Sequence, residues 1–232
     1  MHDALRGQRA HWAEALASRA DRFGSAPSAP ARAAAERFLA AGARDLLELG
    51  AGQGRDSLHF ARRGLRVAAL DFAASGVAAI RAKARAAGLE HMLAAVEHDC
   101  AEALPFADAS FDACYSHMLY CMALSTPRLE ALSAEVLRVL RPRGLQIYTV
   151  RSTADPDCGA GTSYGDDMCE ANGFVVHYFG RDLVKRLARG FDLLDVTEFE
   201  EGDLPRRLFR VTQRKPAVRA PAAAPRRRAG RR

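Results

Sequence analysis

The sequence predicts an α/β fold: a doubly wound, seven-stranded sheet with helices on both faces, an α/β/α sandwich whose last strand runs antiparallel. Three observations carry that prediction. Short apolar runs alternate with helical patterns from about residue 31 to residue 150, the rhythm of a parallel sheet wrapped by helices. A glycine-rich segment, "ELGAGQG", follows the first run directly and opens a helix. Near the end, "FDLLDVTEFEE" and "RRLFRVTQRK" are joined only by "GDLP", which permits a hairpin and forbids a parallel crossover.

Each element follows from local chemistry. Residues 4 to 20 read as an amphipathic helix, broken by the glycine and prolines of "GSAPSAP". A second helix, "ARAAAERFLAAG", leads into the strand "ARDLLEL". From Gly54 a helix places Leu58, Ala61 and Leu65 on one face, and it ends at Gly64. Strand "LRVAALD", a helix from about Ala73 to Ala87, strand "MLAAVEHD", the loop "AEALPFADAS" and strand "FDACYSH" continue the alternation. The helix "TPRLEALSAEVLRVL", with Pro127 suited to a first turn, precedes "RPRG" and the strand "LQIYTV". Residues 151–173 form a loop too long for a mere connector, predicted to be an active-site lid, and the helix "GRDLVKRLARG" follows it. The organisation is thus an N-terminal helix and linker over 1–30, a main domain over 31–215 and a disordered basic tail over 216–232.

Composition narrows the function. With 232 residues and 49% hydrophobic content the chain can bury a full core, and no apolar run reaches the roughly 18 residues of a membrane span. Nothing near the N-terminus reads as a secretion signal. Five cysteines, odd in number and never spaced as CxxC, argue against a disulfide framework or a zinc knuckle and for a reducing, cytoplasmic setting. The formal charge of +6 is matched by the six arginines after residue 216, so the rest of the chain is neutral. That tail can add salt-sensitive attraction to nucleic acid, but it has no aromatic residues for base stacking, and a nucleic-acid partner is not favoured.

The chemistry gathers at the ends of the predicted strands. Glu48 closes the first strand, and Gly50, Gly52 and Gly54 let bare backbone approach a ligand while the next helix presents its amide end. Asp71 closes the second strand, where a carboxylate can accept both hydroxyls of a ribose. "ELGAGQG" followed by "ALD", the "LRVLRPRG" turn and the terminal hairpin together resemble class I S-adenosylmethionine-dependent methyltransferases, over about residues 31 to 214. The resemblance implies a Rossmann-like fold, S-adenosyl-L-methionine as cofactor and a small-molecule acceptor. It also implies that Gly50, Ala51, Gly52, Gly54 and Arg55 line the methionine moiety, with Glu48 acting on its ammonium group through water or the loop. Asp71 would hold the ribose, Phe72 lie beside the adenine, Asp99 read its amino group and Cys100 offer a backbone amide. Ser116 and His117 would face the sulfonium and the acceptor.

"GQGRDSLHFARRG" is similar, more specifically, to the "GNGRNSLYLAxxG" form of tellurite-resistance and thiopurine-type methyltransferases, which would suit a soft S, Se or Te acceptor. Pro205 stands where the tellurite pattern tends to have a His before Arg206. His117, Tyr120 and Arg206 are the catalytic candidates, and His177 is a second candidate proton acceptor. Arg151, Tyr164 and Arg207 are candidates for lining an acceptor pocket. No metal site is expected, although Cys121, Cys158 and Cys169 could in principle grip a thiophilic metalloid. An RNA or natural-product O/N-methyltransferase and a catalytically silent cofactor-binding domain remain the alternatives.

Overall fold

The computed structural model describes residues 2–171, 173–202 and 206–217, so the predicted tail beyond residue 217 lies outside the described residues. The main sheet has seven strands: β1 (Asp45–Leu49), β2 (Arg66–Asp71), β3 (Leu93–Glu97), β4 (Phe111–His117), β5 (Leu140–Arg151), β9 (Asp192–Glu201) and β10 (Arg206–Arg214). Their order is β3-β2-β1-β4-β5-β10-β9, and only β10 runs antiparallel to both of its neighbours. The order reverses between β1 and β4, which opens a crevice at their carboxyl ends.

Two cores fill the faces. On one, α2 (Ala29–Ala40), α3 (Arg55–Arg62) and α4 (Ala74–Ala86) bury Phe38, Phe60 and Ile80, together with Leu65 at the entry to β2, against Leu46, Tyr115 and Ile147. Phe60 meets Tyr115 edge-on at 5.0 Å, and each such side chain contributes about 1.5 to 3 kcal/mol by leaving water. On the other face, α5 (Thr126–Val139) and α6 (Arg181–Leu187) cover Leu47, Leu49, Tyr148 and Val150. The predicted strands and helices of the main domain are all present.

One prediction is corrected. The segment read as a loop holds a small antiparallel sheet, β6 (Ser163–Gly165), β7 (Met168–Ala171) and β8 (Phe174–His177). Its strands are only three or four residues long and carry glycine and aspartate between them, so no period was visible. Buried Met168, Cys169, Val175 and Val176 pack it onto the body. α1 (His2–Ser18) lies between this sheet and α4.

The sheet end opposite the crevice is tied by Asp112. One carboxylate oxygen accepts the amides of Arg44 at 2.9 Å and Asp45 at 3.0 Å, and the other accepts Arg141 at 2.7 Å. These partners hold the Asp112 carboxyl below its usual range despite the opposing effect of burial. Arg143 follows with φ +69, a left-handed conformation that side chains disfavour, in the turn that leads into the paired part of β5. D112A strands two backbone amides and a guanidinium together. It is expected to lower stability by about 2 kcal/mol, read as a fall in the urea midpoint, with no change in ligand affinity at the far end.

Candidate functional site

Four strands end at the crevice and each delivers part of the site. Behind β1 the chain passes through Gly50 (φ +69), Gly52 and Gly54 (φ +83) before α3 begins. A Cβ on Gly54 would stand 2.7 Å from Ile80 Cγ1, and one on Gly50 would stand 3.0 Å from Leu119 Cβ, so these two positions require glycine. Asp71, at the end of β2, fixes this loop: its Oδ2 accepts the Gly52 amide at 2.7 Å and its Oδ1 the Ala73 amide at 2.9 Å. Each oxygen keeps a second lone pair for a ligand hydroxyl. Burial raises the Asp71 pKa, and the backbone amides oppose that rise.

Glu48 is buried, and its Oε2 accepts the Ser57 hydroxyl at 2.5 Å. Burial, reinforced by the nearby Asp56, pushes its carboxyl up to about 8. It is therefore mostly protonated at neutral pH, a charge state that the sequence does not reveal. Ser116 Oγ, at the end of β4, is buried with no hydrogen-bond partner, and Ser116 pairs with Leu49 in the strand register. An uncharged carboxyl, an unpartnered hydroxyl and a glycine cradle fit a small polar or cationic group better than a packed core.

Beyond β3, Asp99 holds the Ala101 amide on Oδ1 at 2.9 Å, and its Oδ2 pairs with Arg9 of α1 at 2.8 Å. The Arg9 guanidinium also stands 5.4 Å from the Phe72 ring centroid. Cys100 is buried beside Gly50, and burial pushes its thiol up to about 12, so it is inert. His117 closes β4 with Nδ1 2.7 Å from Thr149 Oγ1 and Nε2 3.4 Å from Glu201. The His117 contact, assisted by Arg55 and Arg206, holds the Glu201 carboxyl below its usual range. Thus Glu48, Asp71, Ser116 and His117 lie in the last residues of their strands, and Gly50, Ala51, Gly52, Gly54, Phe72, Asp99 and Cys100 follow strand ends on the same side of the sheet.

Other predicted residues lie elsewhere in the structure. Tyr120 is fully buried in the core, stacked on Tyr148 at 4.7 Å, with its hydroxyl accepting from Gln146 at 2.8 Å; it is a packing residue and not a catalytic one. His177 is buried with Nδ1 2.8 Å from Leu124 O, an acceptor to which it must donate. Arg151 is paired with Asp155 and Asp157 and lies over Tyr178, so its charge is already matched. Tyr164 donates to Glu170 at 3.0 Å on the small sheet. Arg207 is exposed beside Glu200, and Arg206 is exposed, paired in register with Glu201 at the mouth of the hairpin. Arg55 donates to Phe23 O at 3.0 Å and to Asp56 at 3.2 Å, so its hydrogen bonds hold the N-terminal linker, while its charge also acts on Glu48 and Glu201. Cys121 and Cys169 are buried and Cys158 half-buried, and no group of three or more His, Cys, Asp or Glu suited to a metal occurs among the described residues.

Sequence reasoning missed the residues that fasten the N-terminal segment over the crevice. Gln53 donates to Leu16 O and Arg19 O, both at 2.8 Å, and accepts the Arg22 amide at 2.8 Å. Asp56 accepts the Ser28 amide at 2.8 Å and its hydroxyl at 2.7 Å. Gln8 donates to Gly173 O at 3.2 Å and accepts the Val175 amide at 3.0 Å. These partners are separated by 28 to 167 positions and share no motif, so only the "x" positions of the glycine loop hinted at them.

Residues 46–144 match the family model of a methyltransferase domain. Over 109 residues the chain is 38% identical to a fatty-acid O-methyltransferase of Mycolicibacterium smegmatis, covering 45% of this chain and 36% of that protein. The chain thus spans about a third of that curated relative's length. The 1,6-didemethyltoxoflavin-N1-methyltransferase of Burkholderia thailandensis superposes with a TM-score of 0.70 at 18% identity, over 93% of this chain and 89% of that one. The N-methyltransferase NodS of Bradyrhizobium japonicum, in complex with S-adenosyl-L-homocysteine, gives 0.67 at 12% identity over 90% and 99%. The cyclase SpnF gives 0.70 at 18% identity over 92% and 96%. At these identities the structures establish the fold, and the match to the methyltransferase-domain model lies within it, over residues 46–144.

Proposed function

We propose that the protein transfers a methyl group from S-adenosyl-L-methionine to a small-molecule acceptor. The observation that carries this is the gathering of Asp71, the glycine loop, Asp99 and Ser116 at the carboxyl ends of the strands, where the strand order switches. The glycine loop and Ser116 hold the methionine portion, Asp71 the ribose hydroxyls, and Phe72 and Asp99 the adenine. The bound donor supplies an electrophilic methyl group on a sulfonium, which passes in line to a nucleophile while the S–C electron pair stays on sulfur. Positioning and water exclusion then account for much of the rate. Thr149 and Glu201 hold the His117 ring at the acceptor end; Nε2 faces the Glu201 carboxylate and so carries the hydrogen, and Nδ1 takes the proton of a protic acceptor once Thr149 Oγ1 releases it.

The acceptor is a separate matter. Arg55 and Asp56, which carry the similarity to the tellurite and thiopurine types, are engaged with Phe23 and Ser28, so they hold the linker. A soft S, Se or Te acceptor rests on that pattern, whereas a hydroxyl or N–H acceptor is supported by the clamped His117. The small sheet β6 to β8, together with α1, forms the roof of the site. No helix among the described residues is long and apolar enough to cross a membrane.

A labelled methyl donor offered with thiols, tellurite, phenols, fatty acids and heteroaryl amines should yield one methylated class by mass spectrometry. Absence of donor binding would falsify the function. H117A should lower transfer to a phenol about 100-fold while changing transfer to a thiol less than threefold.

Glu48 gives a prediction of pH dependence. Its folded pKa lies above the usual 4.5, so its contribution to stability is full below that value and is lost as pH rises through about 8. The ligand-free protein should lose thermal stability across this range, and E48Q should flatten the loss. The ammonium and sulfonium of the donor favour the carboxylate, so binding at pH 7 should release up to about one proton and tighten by up to about tenfold per pH unit. Calorimetry in buffers of different ionisation enthalpy measures the release, which E48Q should abolish.

A further inference from the structure

Arg9 reaches the crevice from outside the sheet and engages two side chains that no element of the N-terminal segment needs for packing. Its guanidinium donates to Asp99 Oδ2 at 2.8 Å and stands 5.4 Å from the centre of the Phe72 ring. A guanidinium is flat, presents N–H donors at its edge and offers a face to an aromatic ring. Adenine has the same three properties: a flat ring, an amino group at one edge and a face for stacking. We propose that Arg9 is an internal substitute for adenine, occupying the adenine subsite in the ligand-free protein and leaving it when the donor binds. The proposal rests on the methyl-donor reading of the crevice.

The attachment of α1 shows how Arg9 can leave. The carboxyl end of the helix is fixed, because Gln53 of the glycine loop holds Leu16 O and Arg19 O. Lys83 adds a bond to Gln53 O at 3.0 Å and an ion pair to Asp21, just beyond the helix. Towards its amino end, the helix is held by Gln8 on β8 and its flank, by the ring contacts of His11 and Trp12 with Phe174 at 4.3 and 4.4 Å, and by Arg9. The Arg9 side chain is 59% exposed, so its ion pair is screened and exchanges readily. Adenine entering at Asp99 displaces the guanidinium, and the amino half of α1 pivots about Gln53. When the product departs, Arg9 returns to Asp99 and Phe72. The same movement changes the contact of Trp12 with Phe174, which links donor binding to the roof over the acceptor.

Trp12 is the only tryptophan in the chain, so its emission reports α1 alone. The probe is S-adenosylhomocysteine, whose net charge is near zero at neutral pH. Its addition to the full chain should change Trp12 emission. R9A should bind it about five- to tenfold more tightly than the wild type, the scale of one exposed ion pair plus one cation–π contact. Raising salt from 0.05 to about 0.5 M screens the Arg9 pair, so wild-type affinity should rise and R9A affinity stay level. Weaker binding by R9A would make Arg9 a ligand contact and overturn the proposal, as would equal affinities with no salt dependence. If neither protein binds the probe, the methyl-donor reading falls and this proposal falls with it. Circular dichroism of R9A confirms that α1 is still formed.

Discussion

The bond between Asp71 and the Gly52 amide is the contact on which the site depends. It crosses from the end of β2 to the loop after β1 at 2.7 Å, and it fixes a stretch whose glycines have little intrinsic preference for one conformation. With Gly52 held, Gln53 is aimed at Leu16 O and Arg19 O, and α3 starts where Ser57 meets Glu48. The loop is therefore a junction: one side contacts the ligand space, and the other holds the helix that covers it. A side chain on Gly54 would collide with Ile80 and push α3 away from α4, breaking both functions together.

The fold was legible because its signals are long and mutually consistent. Leu46, Leu47 and Leu49 of β1, Leu58 and Ala61 of α3 and the short "GDLP" connection each specify one local structure, and all point to one sheet order, although Leu65, read as part of the same helix face, lies beyond Gly64 at the entry to β2. The placement of Glu48, Asp71 and Asp99 was legible for the same reason, since each stands at or just beyond the end of a strand. Two kinds of information were not. Tyr120 and His177 are polar residues in loop-like or irregular sequence, where exposure is the natural expectation, but Gln146 and Leu124 O supply partners that allow their burial. The small sheet is stabilised by packing on the body and by Gln8, 167 positions from Val175, and no local pattern encodes such a contact.

Fold alone does not choose the chemistry. The cyclase SpnF superposes as well as the toxoflavin-pathway methyltransferase does, at equal identity. At the end of β4, His117 and Ser116 are adjacent yet differently supported. Ser116 Oγ has no partner, whereas His117 is gripped from both sides. A hydroxyl left without a partner in a buried place costs about 1 to 3 kcal/mol unless a ligand completes it. A histidine held by Thr149 and Glu201 has a fixed ring plane, and proton transfer demands that its geometry be set before the acceptor arrives.

The charges around the crevice follow a single logic. Burial raises the carboxyls of both Glu48 and Asp71, and the charges of Asp56 and Asp71 add to the rise at Glu48. Asp71 accepts backbone amides that oppose the rise, whereas Glu48 has the Ser57 hydroxyl and is pushed up to about 8. Asp99, further along the same edge, is neutralised from outside by Arg9. The carboxylates around the crevice are thus balanced by a proton on Glu48 and by the guanidinium of Arg9. Under the proposed reading, the ammonium and sulfonium of the donor favour an ionised Glu48, whereas the neutral adenine amino group offers Asp99 a hydrogen bond in place of the charge that Arg9 supplies.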